Sequence, residues 1–455
     1  MAPFGSRGSA PAAGARGVGR SLLALLVVAV ILAALPAAAA GKSLLTGPER
    51  KLAQRAQAQQ SAALALLEQV VNINSGTMNL PGVREVGRIF EKELGAIGFT
   101  TRWIDGQEFQ RAGHLVAEHK GKGSRILLIG HLDTVFDQDS AFQRFERVEG
   151  DKARGPGVTD MKGGDVIILA SLQALQAAGL LKTMNVAVVM TGDEEDCGKP
   201  MQRSRAALLA AAAGARFAIG FEDGDGQAQH AVTARRGSTS WRIAVTAIPA
   251  HSSQIFRPDI GAGAIFEAAR ILNGFRESLA GEEHLTFNPG AILGGTRVAF
   301  DEEQSSGTAM GKGNVIAEYA HVSGDLRALT PEQFAGARRR MEEIVAASLP
   351  HAQSRIAFDE GYPPLAPSKG NDDLLSRYDQ ASRDLGFGTV TAVSPDKAGA
   401  ADVAFVAGKV PEILDGVGLR GDGGHTSGET ADLASLPVQI QRTAVLLYRL
   451  SRSGR

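Results

Sequence analysis

Cysteine is nearly absent: Cys197 stands alone in 455 residues, so no internal disulfide can staple this fold. Aromatic residues make up only 5%, with two tryptophans, which tells against a surface of stacking platforms for bases. Neither sign of charge dominates, since 48 Lys and Arg stand against 49 Asp and Glu. Without a strong field of one sign, nucleic acid is not suggested as a partner. What the chain does have is apolar bulk. At 44% hydrophobic it can form two domains with real cores and is too apolar to be disordered.

The first forty residues read as a targeting leader. Arg7, Arg16 and Arg20 give it a positive start, Leu22 to Leu35 is an apolar run, and Pro36 breaks that run. Ala38-Ala39-Ala40 before Gly41 has the small residues of a cleavage site. Export to the periplasm or medium is therefore expected, with no membrane attachment after cleavage. A retained anchor is the alternative, because Ser21 to Ala40 is about the length that spans a bilayer.

Beyond the leader, helical and strand periodicities alternate. Glu49 to Val71, Val83 to Gly98, Val166 to Leu180 and Ser204 to Ala213 carry apolar residues at helical spacing. Ile126 to Ile129, Val186 to Met190 and Phe217 to Ile219 are short apolar runs of the kind buried in a parallel sheet. The pattern changes near Arg235. Ser240 to Ala247 alternates polar and apolar, and a strand-helix-strand-strand-helix-strand order follows through Phe358, the ferredoxin-like order. After Pro363 the α/β alternation resumes. The expected architecture is an α/β domain with a mostly parallel sheet (residues 41–235 and 362–455), interrupted by a smaller inserted domain (236–361).

Three of the apolar runs end in possible ligands. Ile126 to Ile129 leads into Gly130-His131-Leu132-Asp133-Thr134, Val186 to Met190 into Asp193-Glu194-Glu195, and Phe217 to Ile219 into Phe221-Glu222. Asp160 opens a helix in Gly157-Val158-Thr159-Asp160-Met161-Lys162-Gly163-Gly164, and His425 lies in a glycine-rich loop. In an open α/β sheet, sites form beyond the carboxyl ends of the strands. His131, Asp160, Glu195, Glu222 and His425 suit two divalent metals, since imidazole and carboxylate are zinc-type donors and one carboxylate can bridge two ions. Glu194 would then face the open position as general base, and Asp133 would orient the His131 ring. Any of these residues alone has a bland reading as a loop or surface group. Their convergence is what carries weight. Cys197, beside the acidic pair, reads as a packing residue rather than a nucleophile.

With these motifs the chain resembles the co-catalytic zinc hydrolases: glutamate carboxypeptidase of the G type, aminoacylase, acetylornithine deacetylase and succinyl-diaminopimelate desuccinylase. The resemblance implies a zinc-exopeptidase-like α/β fold with an inserted ferredoxin-like lid and dimerisation domain. It implies that Asp160 bridges two metal ions, zinc first, with cobalt or manganese as alternatives. His131 and Glu222 would complete one site, and Glu195 and His425 the other. The Asp160-Met161 bond would be cis. A histidine of the inserted domain completes the active site across a homodimer in relatives, and His251 stands at that place. Asn314 and Arg327 match substrate-holding positions. The substrate would be a small peptide or an N-acyl amino acid, with deacylation as the alternative to carboxypeptidase action and a non-catalytic peptide carrier as a rival of another class. Where glutamate-releasing relatives carry a basic residue, this chain reads Phe358-Asp359-Glu360-Gly361, so the released residue is left open.

Overall fold

The computed structural model describes residues 44–302 and 306–453. The leader expected at 1–40 lies outside them. Among the described residues no helix is long and apolar enough to cross a membrane.

The main sheet has six strands. In spatial order they are Thr100–Asp105, Gly113–His119, Asn185–Thr191, Arg125–His131, Ala215–Gly220 and Glu412–Leu414. The last four run parallel and the first two are antiparallel additions at one edge. The side chains of the four parallel strands are buried on both faces, as continuous apolar runs require. Leu128, Val188 and Ile219 pack beneath the helices Lys162–Ala177 and Ser435–Arg452, while Leu127, Ala187 and Ala218 face Leu208 and Val403 on the other side. The parallel register brings His131 level with Thr191 and Ile129 level with Gly220. Three strands thus end together on one edge.

Residues 237–358 build a second sheet of four antiparallel strands, in the order Thr286–Gly295, Tyr319–Ala328, Gly237–Ala247, Ala352–Phe358. Taken in chain order this is second, third, first, fourth, the ferredoxin-like arrangement. Trp241, Ile243, Val245, Val322 and Leu326 pack on its two helices, Ala264–Leu279 and Pro331–Ala346. Two connecting segments join the halves side by side, through the bridges Arg235–Leu365 and Ser238–Tyr362.

Three details differ from the sequence reading. The single helix expected over Glu49 to Val71 is two, Gly47–Gln57 and Gln60–Val71. The first packs mainly on the final helix and the second on Lys162–Ala177, so tertiary packing breaks a stretch that holds neither glycine nor proline. The helix expected over Ser204 to Ala213 is likewise split, into Met201–Ser204 and Ala206–Ala211, where the buried Arg205 turns inward to ion pairs. A hairpin of Arg297–Asp301 and Ser306–Met310 forms a separate two-stranded sheet beside the small one; Phe300 in it stacks on His321 with ring centroids 4.0 Å apart. Glu49 and Arg449 join the first helix to the last at 2.7 Å.

Candidate active site

His131 ends its strand with the ring fully buried. Its Nε2 lies 3.1 Å from Asp160 Oδ1 and 3.7 Å from Glu222 Oε1. The second oxygen of Asp160 belongs to another group: His425 Nε2 is 3.0 Å from Asp160 Oδ2 and 3.2 Å from Glu195 Oε2. One carboxylate therefore stands between two sets of metal-type donors. In each set the donor atoms lie within 4.8 Å of one another.

The backbone explains how residues so distant in sequence meet. The hairpin formed by Gly421–Asp422 and Thr430–Asp432 pairs with Lys152–Arg154, which sets the His425 loop beside the Asp160 loop. His425 itself holds a left-handed conformation, φ 63°. Between the two loops, buried Glu429 accepts the amides of Gly157, Thr159 and Asp160 at 2.8–3.1 Å and the Thr159 hydroxyl at 3.1 Å. The Asp160-Met161 peptide is cis. Glu222 is held through its backbone, with its amide 3.4 Å from Asp415 Oδ1 and its carbonyl accepting Gly418 N–H at 2.9 Å. Asp415 is itself fixed by Arg235 at 2.7 Å. A side chain on Gly220 would collide with that carboxylate, its Cβ falling against Asp415 Oδ1.

Asp133 has a larger task than the sequence suggested. The nearest acceptor to His131 Nδ1 is the backbone carbonyl of Asp133, at 3.1 Å, with the carboxylate at 3.5 Å. The carboxylate mainly accepts the amides of Glu194 and Glu195 at 3.0 and 3.1 Å and the Thr77 hydroxyl at 2.7 Å. It therefore fixes the acidic pair. Behind that pair lies a buried network of which sequence reasoning had no hint. Arg205 binds Asp193 and Asp402, Asp402 accepts the Thr191 hydroxyl at 2.6 Å, and the Tyr362 hydroxyl donates to the Glu194 carbonyl at 2.7 Å. Glu429 was missed as well. Its only signal was an acid four positions beyond the candidate His425.

The charges fit poorly without a cation. Burial pushes the Glu194 carboxyl well above its usual range, against the pull of His131 and with the repulsion of Asp402, Glu195 and Asp160. Burial, then the charge of Asp160, raises Glu195 to about 7. Asp160 and Glu195 together hold His425 protonated up to about 11. In the absence of a cation, protons on the imidazoles balance the acids. Divalent ions would balance the same oxygens and leave the rings neutral, as ligation requires. One atom points the same way. Glu195 Oε1 is buried with no hydrogen-bond partner among the described residues, and a buried acceptor left unsatisfied is costly. The donor set therefore fits a metal pair.

The three residues expected from the inserted domain lie elsewhere. His251 is exposed and bonds Ser253 Oγ at 2.8 Å. It sits beside exposed Asn314, through the His251–Val315 bridge and Ser252 N–H to Asn314 O at 2.9 Å. Arg327 is at the opposite end of the small sheet, paired with Ser238, its Nε 2.9 Å from Asp325. None of the three joins the cluster through a hydrogen bond or ion pair in this structure. Asp359 is taken by Arg242, which binds both of its oxygens at 2.6 and 2.7 Å. Cys197 is half-buried, and burial pushes its thiol to about 12. That is the setting of a packing residue, as the sequence suggested.

An α/β sheet with clustered imidazole and carboxylate donors at its carboxyl edge, interrupted by an antiparallel unit, suits a metal-dependent hydrolase. The chain belongs to peptidase family M20/M25/M40, whose description matches residues 127–449. It is similar to carboxypeptidase G2 of Pseudomonas sp. (strain RS-16), 27% identical over 418 residues, which cover 90% of this chain and 94% of that protein. Among solved structures it resembles aminopeptidase PepT from Bacillus cereus, with a TM-score of 0.68, 17% identity, and coverage of 86% of this chain and 99% of that one. It also resembles YXEP of Bacillus subtilis, a dinuclear metal-binding peptidase, with a TM-score of 0.60, 17% identity and coverage of 87% and 99%. The protein is a metallopeptidase-family, carboxypeptidase-like hydrolase.

Proposed function

We propose that this protein is an exported hydrolase that cleaves the amide bond of a small peptide or N-acyl amino acid with the help of two divalent ions, zinc by donor type. The observation that carries the reading is Asp160, whose two oxygens face His131 and His425 separately, at 3.1 and 3.0 Å. His131, Asp160 and Glu222 would hold one ion, and Asp160, Glu195 and His425 the other. Bound there, such ions supply Lewis acidity and make water acidic enough to be deprotonated near neutral pH.

The residues do the rest. Glu194 takes the proton of the attacking water and returns it to the departing nitrogen. Arg327 grips the substrate carboxylate as a fork-shaped partner, leaving its present contact with Asp325. His251 supports the developing oxyanion. It stands at the end of the small sheet farthest from the connectors, so we assign this role to the partner subunit's His251 in a homodimer, with Asn314 travelling beside it. Exposed Ile265, Phe266 and Ile292 on the helix and edge strand of that unit are apolar surface of the kind such an interface covers. Export rests on the composition of residues 1–40.

A panel of dipeptides varied at the C-terminal residue, run beside N-acetyl and N-succinyl amino acids on zinc-loaded protein, tests the reading. Turnover of C-terminally varied peptides is expected. Faster cleavage of acyl amino acids would move the assignment to a deacylase. No turnover with zinc, cobalt or manganese, together with tight peptide binding, would revive the non-catalytic carrier.

A further inference from the structure

Tyr362 lies on the segment that returns from the small sheet to the main domain, its backbone carbonyl accepting Ser238 N–H at 3.0 Å. From that connector its ring reaches into the catalytic half. The hydroxyl donates to the backbone carbonyl of Glu194 at 2.7 Å and accepts from Arg205 Nη2 at 2.6 Å. The ring meets Phe405 edge to face, centroids 5.0 Å apart, so its direction is set by packing as well as by hydrogen bonds.

The other contacts of Arg205 show what this hydroxyl is part of. Arg205 is 1% exposed, donates to the Asp193 carboxylate and to the Asp193 carbonyl, the latter at 3.2 Å, and pairs with Asp402 at 2.7 Å. The segment from Thr191 to Glu195 is thus gripped on both sides. Asp133 holds the amides of Glu194 and Glu195, while Arg205 and Tyr362 hold the carbonyls of Asp193 and Glu194. Of these three anchoring residues, only Tyr362 comes from the connector to the small sheet. Among the described residues its hydroxyl bonds only Glu194 of this segment and Arg205, which holds the same segment.

We propose that Tyr362 is a positioning residue for the general base: by fixing the peptide plane after Glu194 from the connector, it aims the Glu194 carboxylate. This rests on the reading of Glu194 as the base. Without the hydroxyl, the Glu194 carbonyl loses its partner and the plane is held only from its amide side. Small errors of aim are expensive, since a misplacement of ~1 Å can cost up to about 10²-fold in rate.

The test is Tyr362→Phe, which keeps the ring, measured alone and combined with Glu194→Ala on the best substrate of the panel. The single variant is expected to lose about tenfold in kcat with KM within about twofold and to keep two metal ions per chain, with a melting temperature lower by only a few degrees for the lost buried hydrogen bonds. In the Glu194→Ala background it should slow the residual rate no further, because its effect runs through the side chain already removed. A wild-type kcat in Tyr362→Phe overturns the inference. So does a tenfold loss repeated in the double variant, or a loss explained by missing metal. If instead Glu194→Ala itself turns over normally, it is the assignment of the base that falls.

Discussion

The catalytic half and the small sheet hold their functional residues in opposite ways. At the edge of the main sheet, the candidate carboxylates are gripped by buried neighbours, Asp160 through Glu429, the acidic pair through Asp133, and Glu222 through Asp415, and only His425 among the proposed ligands is exposed. In the small sheet, His251 and Asn314 are exposed at one end and Arg327 pairs with a neighbouring acid at the other. The first set is assembled by this chain alone. The second makes sense as surface that a partner or a substrate completes. Buried contacts are thus concentrated around the candidate carboxylates, while His251 and Asn314 are left to solvent.

Experiments can break or sharpen that contrast. Asp160→Ala should have the largest effect, removing the shared carboxylate and with it both metal and turnover; a normal content of two ions by elemental analysis would refute the bridge. Glu194→Ala should keep metal and lose about 10²-fold or more in kcat, and near-normal rates would end its role. His251→Ala should also keep metal while losing about 10- to 10²-fold. Mixed with Glu194→Ala under conditions that exchange subunits, it should regain activity at about a quarter of the sites, since random pairing makes half the dimers mixed, each with one intact site. No recovery on mixing would place His251 in its own chain's site or in none. Glu429→Gln should weaken metal retention by about tenfold, as losses around ligands commonly do, measured by competition with a chelator. The smallest change is expected from Arg327→Lys, a rise of a few-fold in KM with kcat little altered.

The same contrast explains what could be read in the sequence. Strand ends that carry His131, Glu195 and Glu222 are visible because apolar runs stop at polar residues, and the crevice beyond a parallel sheet's carboxyl edge collects them. The ferredoxin-like order was visible for a similar reason, as alternation gave way to helix and back. The supports were not legible. Glu429, Asp415 and Arg205 act through backbone amides, carbonyls and other charges far away in the chain, and a lone acid or arginine in a loop has no periodicity to betray it. The break at Ala58 and Gln59 was hidden too, because it answers to two different helices rather than to local propensity. Asp133 was half legible. Its spacing from His131 pointed to the ring, whereas its carboxylate chiefly serves the next strand's loop.

The contact between the first and last helices has a consequence for biosynthesis. Leu52 and Ala56 pack in the same core as Ile440 and Leu447, and Arg449 closes on Glu49. The wall of the large domain is therefore missing until the closing 18-residue helix has been made, while the small sheet, all of whose strands fall within 237–358, has its full complement much earlier. Long-range closure of this kind is slow and leaves apolar surface uncovered meanwhile.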